Sequence, residues 1–213
     1  MPTNNHRVPA IVFAGVPDQV LAKRIGAPDA ALIQHRLLTR TLRHLKHGGV
    51  RAIVATPAQA SEFAVLAKRE GALPVLQPRG AQGARIGTMM KRARGPAIVL
   101  DSETPGLDGI LVRHAGAALG LFDIVLGPNW NGGFYLIGVR SPAHAFRIFN
   151  GVRWGGAHVL EDILARLPRH WIVGLLPVLA EARDGASLLE ASSDYVPPRR
   201  RSSSLGVMTM KRS

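Results

Sequence analysis

The 213-residue chain contains no cysteine. A disulfide framework and thiolate metal sites are therefore excluded, and nothing points to secretion. Aromatic residues are scarce, with three Trp, two Tyr and six Phe. Basic stretches are not interleaved with stacking rings, so a dedicated single-strand nucleic-acid binder is disfavoured. Acids are also few, 14 against 27 Lys and Arg, for a formal net charge of +13. That excess admits phosphate-bearing ligands, nucleic acid or an anionic surface as partners. It is spread over the chain, however, and the plainest reading is a solvated basic surface. No apolar run reaches the ~18–20 residues that span a bilayer. Met1 to Pro9 is polar and lacks the apolar stretch of a signal peptide, so a cytoplasmic location is expected. No Walker-type loop, G-x-G-x-x-G or G-x-S-x-G is present. The histidines, such as His35, His44, His114, His144 and His158, show no metal-ligand spacing and read as surface residues.

What is present is an alternation of short apolar runs and amphipathic stretches. Strands are expected at 10–14, 51–56, 73–76, 97–100, 123–126, 134–139 and 171–176. Helices are expected between them. Asp29 is placed to cap a helix reaching His47, with Leu32, Ile33, Leu37, Leu38, Leu42 and Leu45 on its inner face. Pro57 opens another to Glu70, and others cover 82–94, 109–120, 157–167 and 186–191. Strand–helix alternation predicts a three-layer α/β/α domain with a mixed, mostly parallel sheet. Ligands of such sheets bind beyond the carboxyl ends of the strands. One domain over 1–191 is expected. Residues 192–213 carry Ser and Pro, five Lys or Arg and one acid, and read as a basic, mostly disordered tail.

Two loops stand at strand ends where chemistry is expected. Asp101-Ser102-Glu103-Thr104-Pro105 follows an apolar strand; Glu103 is suited either to a metal or ligand hydroxyl, or to capping the next helix. Asn129-Trp130-Asn131-Gly132-Gly133 joins two apolar strands. Asn-Gly is a tight-turn pair, so this segment has a purely structural reading. That reading leaves the neighbouring aromatics Trp130, Phe134 and Tyr135 without a role. After the first strand, Gly15 to Gln19 and then Lys23-Arg24 form a turn with cations that suit phosphate.

The segment Val125 to Val139, with its Asn-Gly-Gly-Phe-Tyr-Leu-Ile-Gly core, resembles the radical-SAM/selenodomain-associated glycosyltransferase-like transferases. Val99 to Leu107, Gln82-Gly83-Ala84-Arg85-Ile86, Val152-Arg153-Trp154-Gly155 and Val159-Leu160-Glu161-Asp162 fall in the order of that family's other landmarks. The resemblance covers about residues 9 to 190. It implies the GT-A fold of the nucleotide-diphospho-sugar transferase superfamily, and a nucleotide or nucleotide sugar as partner. It assigns Lys23, Arg24, Gly83, Arg85 and Ser102 to the nucleotide, and Trp130, Gly132, Gly133 and Trp154 to the acceptor side. Glu103 and Asn131 take the catalytic positions, with Glu103 also the metal ligand.

The departures from the family pattern concern charge. Such enzymes use a divalent cation to neutralise the diphosphate leaving group. Here Glu103 replaces one aspartate and keeps the charge, Asn131 replaces another and loses it, and Glu181 and Arg183 stand where an Asp-x-Asp is expected. A cation there repels Mg²⁺ or Mn²⁺ at close range, so either metal is expected to bind weakly or not at all. Three functions follow. The first is a nucleotide- or nucleotide-sugar-dependent transferase in which arginines supply the missing positive charge. The second is a non-catalytic GT-A-like binding module. The third is a nucleotidyltransferase similar to phospholactate guanylyltransferases. Nucleic acid is expected only through the tail, and no membrane span.

Overall fold

A computed structural model describes residues 8–15, 27–101, 104, 106–179 and 208–210, without the side chains of 27–29. The seven expected strands form: β1 Ala10–Phe13, β2 Ala52–Thr56, β3 Leu73–Leu76, β4 Ala97–Leu100, β5 Ile124–Pro128, β6 Phe134–Val139 and β7 Val173–Leu175. Between them lie α1 Ala27–His47, α2 Ser61–Arg69, α3 Gln82–Arg92, α4 Gly109–Ala118, α5 Ala145–Phe149 and α6 Val159–Arg166. An eighth strand, β8 Met208–Met210, completes one sheet in the order β3-β2-β1-β4-β6-β5-β7-β8. Strands β3, β2, β1 and β4 run parallel, as do β5 and β7; β6 is antiparallel to both neighbours and β8 to β7.

The continuous apolar runs are those buried on both faces. All four residues of β4 are buried, and so is every residue of β2. Alternate strand side chains enter two cores. Ala10, Val12, Val54 and Leu100 meet α1, α2 and α4 on one face. Ile11, Ile53, Val99, Ile137 and Val173 meet α3, α5 and α6 on the other. This is the expected three-layer arrangement. Asp108 caps α4, its Oδ1 accepting from the Leu111 N–H at 2.7 Å, an interaction typically worth ~1 kcal/mol.

Several expectations change in detail. Helix α1 begins at Ala27, so Asp29 lies within its first turn and does not precede it. Leu32 is 48% exposed, while Ile33, Leu37, Leu38, Leu42 and Leu45 are buried. Pro57 opens a turn and α2 starts only at Ser61. The helix α5, preceded by a single 3-10 turn at Pro142–His144, was not expected. Three residues of the tail, Met208–Met210, form β8 and pair with β7. The helix expected at 186–191 lies outside the described residues. His44 is half-buried against α4 and not a surface group; burial and nearby Arg40 lower its pKa.

The close approaches are made by glycine. A Cβ on Gly83 would collide with the Phe149 carbonyl, and one on Gly87 would press on Phe146 at 3.0 Å. These two residues, one turn apart on α3, let α5 lie directly against it.

Candidate active site

The carboxyl ends of β1, β2, β4 and β5 and the start of β6 open onto one cavity of about 580 Å³. That is within the range of small-molecule sites. Among the described lining residues the only cation is Arg85 and the only acid is Asp101. Six amide side chains share the wall: Gln34, Gln59, Gln77, Gln82, Asn129 and Asn131. The apolar part includes Phe13, Leu38, Phe134 and Trp154.

Gln77 organises one side. Its Nε2 donates to the carbonyls of Ala14 at 2.7 Å and Ala55 at 2.9 Å, tying together the ends of β1 and β2. Its Oε1 accepts from Arg85 Nη1 at 2.9 Å. Since Nε2 must face two carbonyls, Oε1 is left to face the guanidinium. Arg85 therefore has a neutral partner, and it forms no ion pair with any described residue. Its Nε is buried and has no hydrogen-bond acceptor. That atom is closed to solvent, so what a ligand in the cavity can meet is the charge of a half-buried guanidinium that no carboxylate among the described residues neutralises.

The acid available at the end of β4 is Asp101. Its backbone N–H donates to the Tyr135 carbonyl at 2.9 Å, and its Oδ2 accepts from the Thr104 hydroxyl at 3.1 Å. Ser102 and Glu103 lie outside the described residues, as do Lys23, Arg24, Glu181 and Arg183. Asp101 stands two residues before Glu103, the acid to which the family resemblance assigns the site, and no motif in the sequence separates the two.

The 129–133 segment is a closed turn. Gly132 N–H donates to the Asn129 carbonyl at 3.4 Å, Asn129 N–H to the Gly133 carbonyl at 3.2 Å, and Gly133 N–H to Asn131 Oδ1 at 3.0 Å. Asn131 and Gly133 line the cavity, but the Asn131 oxygen serves its own turn. Gly132 does not line it. At φ +83 it packs on Ala157, where a Cβ would meet a carbonyl. Trp130 is outside the cavity and 69% exposed. The three aromatics around this turn thus separate: Trp130 faces solvent, Phe134 faces the cavity and Tyr135 enters the core. The Tyr135 hydroxyl donates to the Pro177 carbonyl at 2.9 Å, and burial raises its pKa.

Trp154 walls the cavity, edge-on to Phe134 with centroids 6.3 Å apart and leaning on Phe149. Its loop is stapled from outside. Asp162 accepts from the Arg153 backbone N–H at 2.8 Å, from its Nε at 2.9 Å and from its Nη2 at 2.7 Å. These bonds hold the Asp162 carboxyl well below the usual carboxylate range. Arg166 adds donations to the carbonyls of Asn150 and Gly151 at 3.0 and 2.7 Å. Gly83 is absent from the lining; its place is the contact with α5. The cavity thus brings together Arg85, Asn131, Gly133 and Trp154 of the expected residues, and adds Gln77 and Asp101.

The described residues offer an incomplete shell for a divalent cation. Among the described residues Asp101 supplies the one carboxylate of the lining, the Asn131 oxygen already accepts one hydrogen bond, and no group of three His, Asp or Glu converges. Mg²⁺ and Mn²⁺ require several oxygen ligands.

Residues 38–156, more than half of the chain, match the family described as "Uncharacterized protein conserved in bacteria (DUF2064)". No curated protein matches the sequence. Among solved structures, the chain is similar to a protein of Desulfovibrio desulfuricans G20 provisionally named a nucleotide-diphospho-sugar transferase. The TM-score is 0.71 and the identity 23%, over 82% of this chain and 81% of that one. A 4-diphosphocytidyl-2C-methyl-D-erythritol synthase from Anaerococcus prevotii DSM 20548 gives a TM-score of 0.56 at 9% identity, over 87% and 94% of the two chains. A Mycobacterium sp. strain JC1 homologue of a Mycobacterium tuberculosis protein gives 0.53 at 17% identity, over 82% and 85%. At these identities the likeness concerns the fold, which is of the nucleotide-diphospho-sugar transferase type.

Proposed function

The chain belongs to the bacterial family DUF2064, and on that footing we propose that it is a nucleotide- or nucleotide-sugar-dependent transferase of the glycosyltransferase-like kind. The observation that carries this reading is Arg85, a cation with a neutral partner, lining a cavity at the carboxyl ends of the strands. Its guanidinium would receive the phosphates or a base edge of the nucleotide, with Lys23, Arg24, Ser102 and Gly83's helix completing that side. Asn131, Gly133 and Trp154 would meet the acceptor. Asp101 or Glu103 would orient a hydroxyl or hold a weakly bound Mg²⁺ or Mn²⁺. The motif at Val125 to Val139 supports placement beside the radical-SAM/selenodomain-associated transferases.

One observation favours the second reading, a non-catalytic binding module: the oxygen of Asn131, at a catalytic position of the resembled family, is held by its own turn. A thermal-shift panel of nucleotides and nucleotide sugars, with and without Mn²⁺, separates these readings. A nucleotide-dependent rise in Tm that changes little with Mn²⁺ is expected. No shift with any nucleotide would refute nucleotide dependence. Release of pyrophosphate from GTP would point instead to the nucleotidyltransferase.

A further inference from the structure

Regular alternation along β6 would send Phe134 and Leu136 to one face of the sheet and Tyr135 to the other. The strand departs from it. Tyr135 and Leu136 both enter the core beneath α1, α2 and α4. Phe134, Ile137 and Val139 pack on the opposite side, where Phe134 meets Trp154. The pairing with β5 gives the reason. Gly127 stands opposite Leu136 and Pro128 opposite Phe134, so Tyr135 is one residue more than β5 can match. Such a β-bulge re-aims the side chains around it. Here it decides which of two adjacent aromatics walls the cavity: Phe134 lines it and Tyr135 does not.

Three contacts keep Tyr135 in that phase. Its ring lies across Gly127, where a Cβ would collide with the ring carbons. Its hydroxyl reaches past β5 and donates to the Pro177 carbonyl at 2.9 Å, just beyond the end of β7. Its own carbonyl accepts from the Asp101 N–H at 2.9 Å, and so fixes the residue that bears the carboxylate of the described lining. Pro177 is itself held, because the chain after β7 continues beside β5. The Leu176 N–H donates to the Leu126 carbonyl at 2.8 Å and the Leu179 N–H to the Pro128 carbonyl at 3.2 Å. Pairing without the bulge would exchange the two rings, with the phenol of Tyr135 beside Trp154 and Phe134 in the core. A side chain at 127 would favour that exchange, since the ring would lose its place.

We propose that Tyr135 is a positioning residue of the cavity and that Gly127 is the partner that makes its position possible: together they aim Phe134 at Trp154 and hold Asp101 at the end of β4. Tyr135 acts through these residues and not by contact with a ligand. This deepens the transferase reading and rests on it for the nucleotide as ligand. The placement of Phe134 against Trp154 can be measured with no ligand at all.

The test uses the full-length chain with Trp130→Phe and Trp171→Phe, which leave Trp154 as its one tryptophan. Its emission then reports the contact with Phe134. Gly127→Ala should shift that emission as far as Phe134→Ala does. Tyr135→Phe keeps the ring over Gly127, so it should leave the emission unchanged and only lower Tm, through the lost hydrogen bond. Titration with UDP, CDP, GDP and ADP, below the Tm of every variant, should follow the same order. Gly127→Ala should weaken binding about tenfold, and Tyr135→Phe should bind as wild type does. Tyr135→Leu, too short to cross β5 to Pro177, should behave like Gly127→Ala and replaces it should that variant not fold. Unchanged Trp154 emission in Gly127→Ala or its replacement, or unchanged nucleotide affinity where the emission has shifted, would overturn the positioning role. A shifted emission in a chain that responds to no nucleotide or nucleotide sugar would leave that role standing and sink the transferase reading instead.

Discussion

Two arginines flank the cleft and are held in opposite ways. Arg85 is positioned from inside the cavity by the neutral amide of Gln77. Arg153 is positioned from outside by the carboxylate of Asp162, through its backbone and both sides of its guanidinium. An amide fixes an arginine without cancelling its charge, whereas a carboxylate cancels it while fixing it. The first arrangement leaves a cation for a ligand, and the second uses the cation to staple a loop. Charge count along the sequence cannot separate them; the partner does.

The largest effect that would sharpen this contrast is on nucleotide affinity. Arg85→Ala should weaken binding of the nucleotide found by thermal shift about 10–100-fold, the range for loss of charged hydrogen bonds. Arg153→Ala should weaken it less and lower Tm more. Equal affinity losses in isothermal titration would erase the distinction. Next in size is a pair of glycines. Gly83→Ala should destabilise by ~1–3 kcal/mol in urea unfolding, because α5 must shift. Gly156→Ala, with nothing within 4 Å of the new methyl, should stay within ~0.5 kcal/mol of wild type.

The smallest effect is the pH dependence of the loop staple. The Asp162 carboxyl is depressed in the folded chain, so its contribution is complete above the ordinary carboxyl value of ~3.9 and is lost as pH falls toward the folded value. Asp162→Asn should lower Tm at neutral pH and flatten its acid dependence. An acid limb of the Tm–pH curve identical to wild type would show that this pair does not control it.

The sheet was legible because its strands are apolar runs punctuated by glycine and proline, as Ala97–Leu100 is by Gly95-Pro96 and Asp101. Strand β8 was not, because Met-Thr-Met has no pattern of its own and exists by pairing with β7. Helix α5 was not, because it is short and rests on the glycines of α3. In the site, Arg85 was found through a motif. Gln77 was missed because its role depends on carbonyls 63 and 22 residues away in sequence. Gly83 and Gly132 take a ligand assignment from the sequence resemblance, while in the fold a Cβ would meet the Phe149 carbonyl at the first and the Ala157 carbonyl at the second, and such close approaches leave no mark in the sequence.

The two ends of the sheet differ in how well they resist another strand. At one, β3 carries Pro74, which offers no N–H to a newcomer. At the other, β7 is screened by three exposed residues of β8. Deleting 208–210 would uncover backbone donors and acceptors of β7, leaving a template for strand addition. Self-association of such a truncated chain, rising with concentration, would therefore be a property of an uncapped sheet and carry no information about the native assembly.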